Sequence, residues 1–182
     1  MMSNTLLESV VKKNRARLIP FMLALYVLAF LDRSNIGFAK ETYQLDTGLS
    51  NEAYALGAGI FFVVYAFLGV PANLLMRKFG ARRWIGCTTL LWGVLSAAMA
   101  WADTESKFLL VRTLLGAAEA GFFPGMIYLT SQWFPQQNRA SIMGLFYMGA
   151  PLALTLGSPL SGALLEMHGF MGHPGWFWMF VI

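Results

Sequence analysis

An unbroken run of fourteen apolar residues, 18–31, passes without a turn signal into Asp32-Arg33. The helical pattern then continues through Ser34, Asn35, Ile36, Gly37 and Phe38, so the charged pair lies inside the hydrophobic stretch. At 1.5 Å rise per residue, the span 18–38 covers roughly 31 Å, the thickness of one bilayer core. Ionisable side chains at that depth cost roughly 2.5–3.5 kcal/mol each on insertion scales, so they usually face a polar interior and serve function. This stretch predicts a bundle of apolar helices arranged around an internal charged pair.

Four further stretches have the same character: 54–76, 84–101, 108–133 and 142–165. Their predicted connections are short, at 39–51, 77–83, 102–107, 134–139 and 166–175. Residues 176–182 (WFWMFVI) begin a sixth span, and seven residues reach only about 10 Å. A helix ending in mid-membrane leaves carbonyls and a terminal carboxylate in hydrocarbon. The expectation is therefore a chain truncated in its sixth helix.

Composition decides the class. With 57% hydrophobic and 12% charged residues, against about 25% charged in soluble domains, the chain has too much apolar surface for a soluble fold. The expected fold is an all-α, multi-pass membrane protein in contact with the lipid bilayer. The net charge of +4 could suggest nucleic acid, but its distribution reads as topology. Nine Lys and Arg residues fall on one side of the spans, in the stretches before residue 18, at 77–83 and at Arg139; only Lys40 and Lys107 fall on the other. The segment 1–17 is thus expected to be a cytoplasmic tail, and 18–182 the membrane bundle. A cleaved signal peptide does not fit, because the first apolar run is too long and has no small-residue cleavage site after it. Cys87 is the single cysteine, so neither an internal disulfide nor a thiolate metal cluster can form. His168 and His173 lie in a predicted loop with no third ligand nearby, and no phosphate-cradling or nucleophile motif occurs. The expectation is no metal, no cofactor and no enzyme.

Four charges fall within spans: Asp32 and Arg33 in the first, Arg112 and Glu119 in the fourth. Arg112 and Glu119 are seven residues, two helical turns, apart and share a face. Counted from opposite ends, Asp32 lies about 21 Å and Glu119 about 17 Å into the membrane, so the four groups can surround one cavity. Desolvated carboxyls can take and release protons, and a guanidinium can clamp an anionic carboxylate. That combination suits a proton-coupled carrier of small organic anions. Two plainer readings stand beside it: buried ion pairs that only fix helix packing, and an Arg112 that snorkels to the outer head groups. Tyr65 could hydrogen-bond a hydroxylated substrate, although a lone tyrosine more often fills a packing gap. Ala117, Gly121 and Gly125 form a small-residue face for close helix contact, and Pro124, Pro151 and Pro159 bend helices; both are read as packing devices.

LDRSNIGFAK in the first span, MRKFGARRWIG between the second and third, and VRTLLGAAEAGFFPGMIYLTSQWFPQQNRA across the fourth together resemble the anion:cation symporters of the major facilitator superfamily. The likeness runs from about residue 10 to the end. It implies the N-terminal six-helix half of a twelve-helix bacterial inner-membrane transporter, with the C-terminal half as missing partner. It also implies import of sugar acids and similar carboxylates by proton symport. By the same resemblance Asp32 and Glu119 match the proton-coupling carboxylates, Arg33 the arginine that binds the substrate carboxylate, Tyr65 a substrate-side tyrosine, and Arg112 an arginine that pairs with the coupling carboxylate. The basic turn departs from the superfamily pattern, having Leu75-Met76 where an acidic residue would precede the arginines. The competing expectation is a short, non-transporting membrane protein that packs against a partner polypeptide. A redox-enzyme anchor is excluded by the lack of paired histidines within the spans.

Overall fold

The computed structural model describes the backbone of residues 2–182 and the side chains of residues 8–182. The described residues form eight α-helices: α1 (Met2–Thr47), α2 (Asn51–Phe79), α3 (Ala81–Ala98), α4 (Glu105–Glu119), α5 (Phe122–Trp133), α6 (Gln136–Tyr147), α7 (Gly149–Glu166) and α8 (Gly175–Val181). They make five spans long and apolar enough to cross a membrane, α4 with α5 and α6 with α7 each counting as one.

The helices overrun the connections expected for them. The segment 2–17 is helical and continuous with the first span, and the expected connection 39–51 is helix as far as Thr47. Neither stretch contains the Gly or Pro that would stop it. The chain turns only at Gly48, whose φ of 71° is open to glycine, and restarts where the Ser50 side chain accepts from the Ala53 N–H. The expected basic turn 77–83 shrinks to Gly80, φ 84°. Arg77 and Lys78 complete the last turn of α2, where cations favour the carbonyl end, while Arg82 and Arg83 open α3. The loop 134–139 reduces to Phe134 and Pro135, because Arg139 Nε donates to Phe134 O at 2.9 Å and Nη2 to Ser131 O at 2.8 Å, capping α5.

At two of the three prolines read as bends the helical hydrogen-bond ladder breaks while the backbone keeps right-handed helical angles, so both act as bends. Pro124 has no N–H for the carbonyl of Ala120, and the fourth span parts at Ala120-Gly121. Pro151 does the same for Tyr147, and the fifth parts at Met148. Pro159 is accommodated within α7. The first break leaves Glu119 as the last residue of α4.

The most extensive contacts pair α2 with α4 and α1 with α7, while α3 packs along α4 and α5. At α2–α4 the backbones come close at Gly116: a Cβ there would lie 2.5 Å from the Phe61 carbonyl oxygen, while one at Gly57 would meet the Phe108 ring more closely still. Gly121 meets the Trp84 indole and Ala72, and Gly125 meets Met76. At the end of the bundle where α1 terminates, Tyr43 donates to Ala102 O, Tyr54 donates to Ile36 O, and Trp176 Nε1 donates to Asp46 Oδ2 at 2.7 Å. These bonds tie α8 and the α3–α4 turn to the long first helix. In that turn Lys107 Nζ donates to Asp103 Oδ1 at 2.6 Å, which holds the exposed Asp103 carboxyl below its ordinary value. His168 and His173 lie in the turn between α7 and α8, where the His173 ring stacks on Phe177 at 4.0 Å.

Candidate functional site

Asp32 and Arg33 are consecutive on α1, so their side chains leave the helix about 100° apart and meet different neighbours. Asp32 turns to α3, where Trp92 Nε1 donates to Oδ2 at 3.1 Å and Ser96 Oγ donates to Oδ1. Arg33 turns to α2 and α4. Its Nη2 and Nε donate to the same Glu119 oxygen, Oε2, at 2.7 and 2.8 Å. Glu119 is 1% exposed, yet its other oxygen, Oε1, is buried without a hydrogen-bond partner. The Arg33 side chain, at 20% exposed, is the part of the pair that solvent can reach.

Aromatic faces hold the two cations in place. The Arg33 guanidinium carbon lies 4.7 Å from the Tyr65 ring centre and 5.6 Å from that of Phe61. The Arg112 guanidinium carbon lies 4.6 Å from the same Phe61 ring, and its Nε donates to Gly57 O at 3.2 Å. Cation–π contact suits guanidinium groups removed from water, where each is worth on the order of 1–2 kcal/mol. Phe61 thus joins the two arginines, and Asp32, Glu119 and Arg33 all lie near enough to Arg112 to act on it electrostatically.

The structure brings Asp32, Arg33, Tyr65, Arg112 and Glu119 together in one region between α1, α2, α3 and α4. Within that region the ion pair is Arg33–Glu119; Arg112, expected beside the coupling carboxylate, makes no ion pair among the described residues. Nor does Arg112 snorkel, being 3% exposed and directed at α2. A cavity of about 350 Å³ adjoins Tyr65 and runs along α2 past Asn73 to Arg77, closed on its other side by Phe123 and Pro124.

Three contributors escaped the sequence reading. Trp92 and Ser96 were legible as a pair of hydrogen-bonding residues four apart on one face of the third span. Phe61 lies four before Tyr65, the spacing of an aromatic shelf on one helix face. Among the described residues no cluster of His, Cys, Asp and Glu is arranged to hold a metal.

Comparison with known proteins supplies the context. The Major Facilitator Superfamily sequence model matches residues 22–182. The inner membrane transport protein RhmT of Escherichia coli K12 is 92% identical over 181 residues, covering 100% of this chain and 42% of the relative. A putative tartrate transporter of Agrobacterium vitis is 51% identical over 180 residues, covering 99% of this chain and 40% of the relative. The chain therefore spans about two fifths of the length of these curated relatives. Among solved structures, a bacterial homolog of the human lysosomal transporter Spinster, inward-facing and occupied, superimposes with a TM-score of 0.84 over 92% of this chain and 40% of that chain, at 21% sequence identity. That likeness concerns the fold alone.

Proposed function

The chain belongs to the Major Facilitator Superfamily, and we propose that it is the first half of a proton-coupled importer of a sugar acid, L-rhamnonate or a related aldonate. The observation that carries this reading is the Arg33–Glu119 pair: the most accessible cation of the site is occupied by an internal carboxylate through a single oxygen. A substrate carboxylate needs the same two N–H donors, so anionic Glu119 and the substrate compete for Arg33. A proton on Glu119 removes the competitor. Proton and anion therefore load together, and the proton on Glu119 offsets the charge of the anion. Tyr65, stacked on the guanidinium, is placed to meet a hydroxylated chain extending from that carboxylate. Asp32 is the second proton site, held by α3 on the adjoining face of α1.

Transport needs a second half to alternate access, which accords with relatives more than twice this length. The protein is a multi-pass inner-membrane protein in this reading, with its basic, cytoplasmic side carrying the N-terminus, and its partners are protons, an organic anion and the remaining half of the same transporter.

The test is uptake by the complete transporter in proteoliposomes. Asp32→Asn and Glu119→Gln are each expected to abolish accumulation driven by a pH gradient while retaining substrate counterflow, which moves no net proton. Undiminished proton-driven accumulation in either variant would remove that carboxyl from the coupling scheme.

A further inference from the structure

The two groups that hold Asp32 come from one helix and differ in chemistry. Trp92 and Ser96 lie four apart on α3, and both donate to the Asp32 carboxyl, Trp92 to Oδ2 and Ser96 to Oδ1. An indole N–H can only donate, whereas a hydroxyl both donates and accepts. While Trp92 is in place, its N–H always points at Oδ2, and a carbonyl oxygen accepts that bond better than a hydroxyl oxygen does, so Oδ1 is the favoured seat for a proton. Ser96 must then accept rather than donate, and its own hydrogen needs a new acceptor. The carbonyl of Trp92, four residues back, is within reach of a helical serine. Thr88, Thr113, Thr130 and Thr155 already donate to the carbonyl four residues back. Ser96 departs from them by donating to Asp32.

We propose that Trp92 and Ser96 are positioning residues for Asp32: Trp92 steers the proton to Oδ1, and Ser96 receives that proton's hydrogen bond by reversing its hydroxyl. The inference rests on Asp32 being a proton-coupling carboxyl. On loading, Asp32 gains one proton at Oδ1, the new O–H donates to Ser96 Oγ, and the Ser96 hydrogen passes to the Trp92 carbonyl; unloading reverses each step. No covalent bond other than the Asp32 O–H is made or broken. The charged groups facing Asp32 are Arg112 and Glu119 from α4, with Arg33 beside it on α1. From α7 and from α8 and the residue after it, the neighbouring cavity is lined by Leu160, Leu164, Met179, Phe180, Val181 and Ile182, none of whose side chains titrates. The exchange between donor and acceptor therefore falls to α3.

Two measurements on the complete transporter test this. In proteoliposomes, Ser96→Ala removes a charge-assisted donor from the carboxylate and a weaker, neutral acceptor from the acid, so the net shift of the pH profile of proton-driven uptake is expected to be to alkaline pH, by about one unit. Ser96→Thr, which keeps a hydroxyl, is expected to restore the original profile. In an Asp32→Asn background, Ser96→Ala is expected to leave the pH profile of counterflow unchanged, which assigns the shift seen with Asp32 present to that carboxyl; a merely structural serine would move neither profile. In acid-minus-base infrared difference spectra, the carboxylic C=O band lost in Asp32→Asn is expected to move to higher wavenumber in Trp92→Phe, since Oδ2 loses its donor. A Ser96→Ala profile that coincides with the parent, or a C=O band unmoved by Trp92→Phe, overturns the proposal and leaves the unpartnered Glu119 Oε1 as the rival acceptor. Loss of coupling in Asp32→Asn together with an unmoved Ser96→Ala profile defeats this inference alone. Full proton-driven accumulation in Asp32→Asn defeats both it and the functional reading of Asp32.

Discussion

Arg33→Ala in the complete transporter is expected to lower substrate affinity and uptake by at least about 100-fold, because removing one partner of a desolvated charge pair costs about 3–5 kcal/mol. The loss should exceed that of any other single truncation in the site. Two N–H groups of Arg33 converge on Glu119 Oε2 at 2.7 and 2.8 Å, and the same two groups are the ones a substrate carboxylate would take. The variant also leaves Glu119, 1% exposed, without its cation. A carboxyl in that position neutralises by taking a proton rather than remaining an uncompensated buried charge, so folded protein should still be recovered. Arg33→Lys separates charge from geometry. It restores the cation as a point charge without the planar fork and is expected to recover only part of the affinity. Calorimetric titration of the purified transporter with substrate is the measurement. Binding by Arg33→Ala within about threefold of the parent would remove Arg33 from the substrate site.

Gly116→Val is expected to have the largest effect on folding. Its Cβ would come to 2.5 Å from the Phe61 carbonyl oxygen, a backbone atom that cannot rotate away. Relief requires α2 and α4 to separate, and this is the most extensive helix pair in the bundle. Inside a bilayer that contact has no water-driven term to compensate, because lipid tails are as apolar as the side chains; close van der Waals approach is what holds it. Overpacking of this kind typically costs about 1–3 kcal/mol, and a rigid backbone obstacle places Gly116→Val at the upper end. The displacement also moves Phe61 away from Arg33 and Arg112 and lengthens the Arg112–Gly57 hydrogen bond. Yield and thermal stability in detergent, followed by size-exclusion chromatography, should fall sharply. Gly86→Ala, where a Cβ meets nothing within 4 Å, is the control expected to be silent. Equal behaviour of the two variants would mean that α2 and α4 tolerate separation.

The membrane class, the number of spans and the four charges inside them follow from the residue pattern alone. The reason is the solvent: hydrocarbon imposes a cost on every unpaired polar group, so a charge inside a long apolar run stands out without knowledge of its neighbours. Connections were less legible. Gly48 and Gly80 each reverse the chain almost alone, and the residues around them, polar enough to read as loop, remain helical because nothing stops them. Pro124 and Pro151 were visible, but whether a proline breaks the hydrogen-bond ladder of its helix depends on whether neighbouring helices accommodate the interruption. The break at Ala120-Gly121 is what ends α4 at Glu119.

Partner choice was decided by tertiary structure. Helical periodicity places Arg112 and Glu119 on one face of the fourth span, but not the rotation of that face about its axis. One residue of register turns a side chain by 100°, enough to bring Gly116 against the Phe61 carbonyl oxygen. The same rotation gives Glu119 to Arg33 and turns Arg112 onto Phe61 and Gly57. Trp92 and Ser96 belong to this second category as well. Only packing of α3 against α1 brings their two donors to one carboxyl, because a contact between residues some sixty apart in sequence is set by how whole helices fit together, not by local pattern.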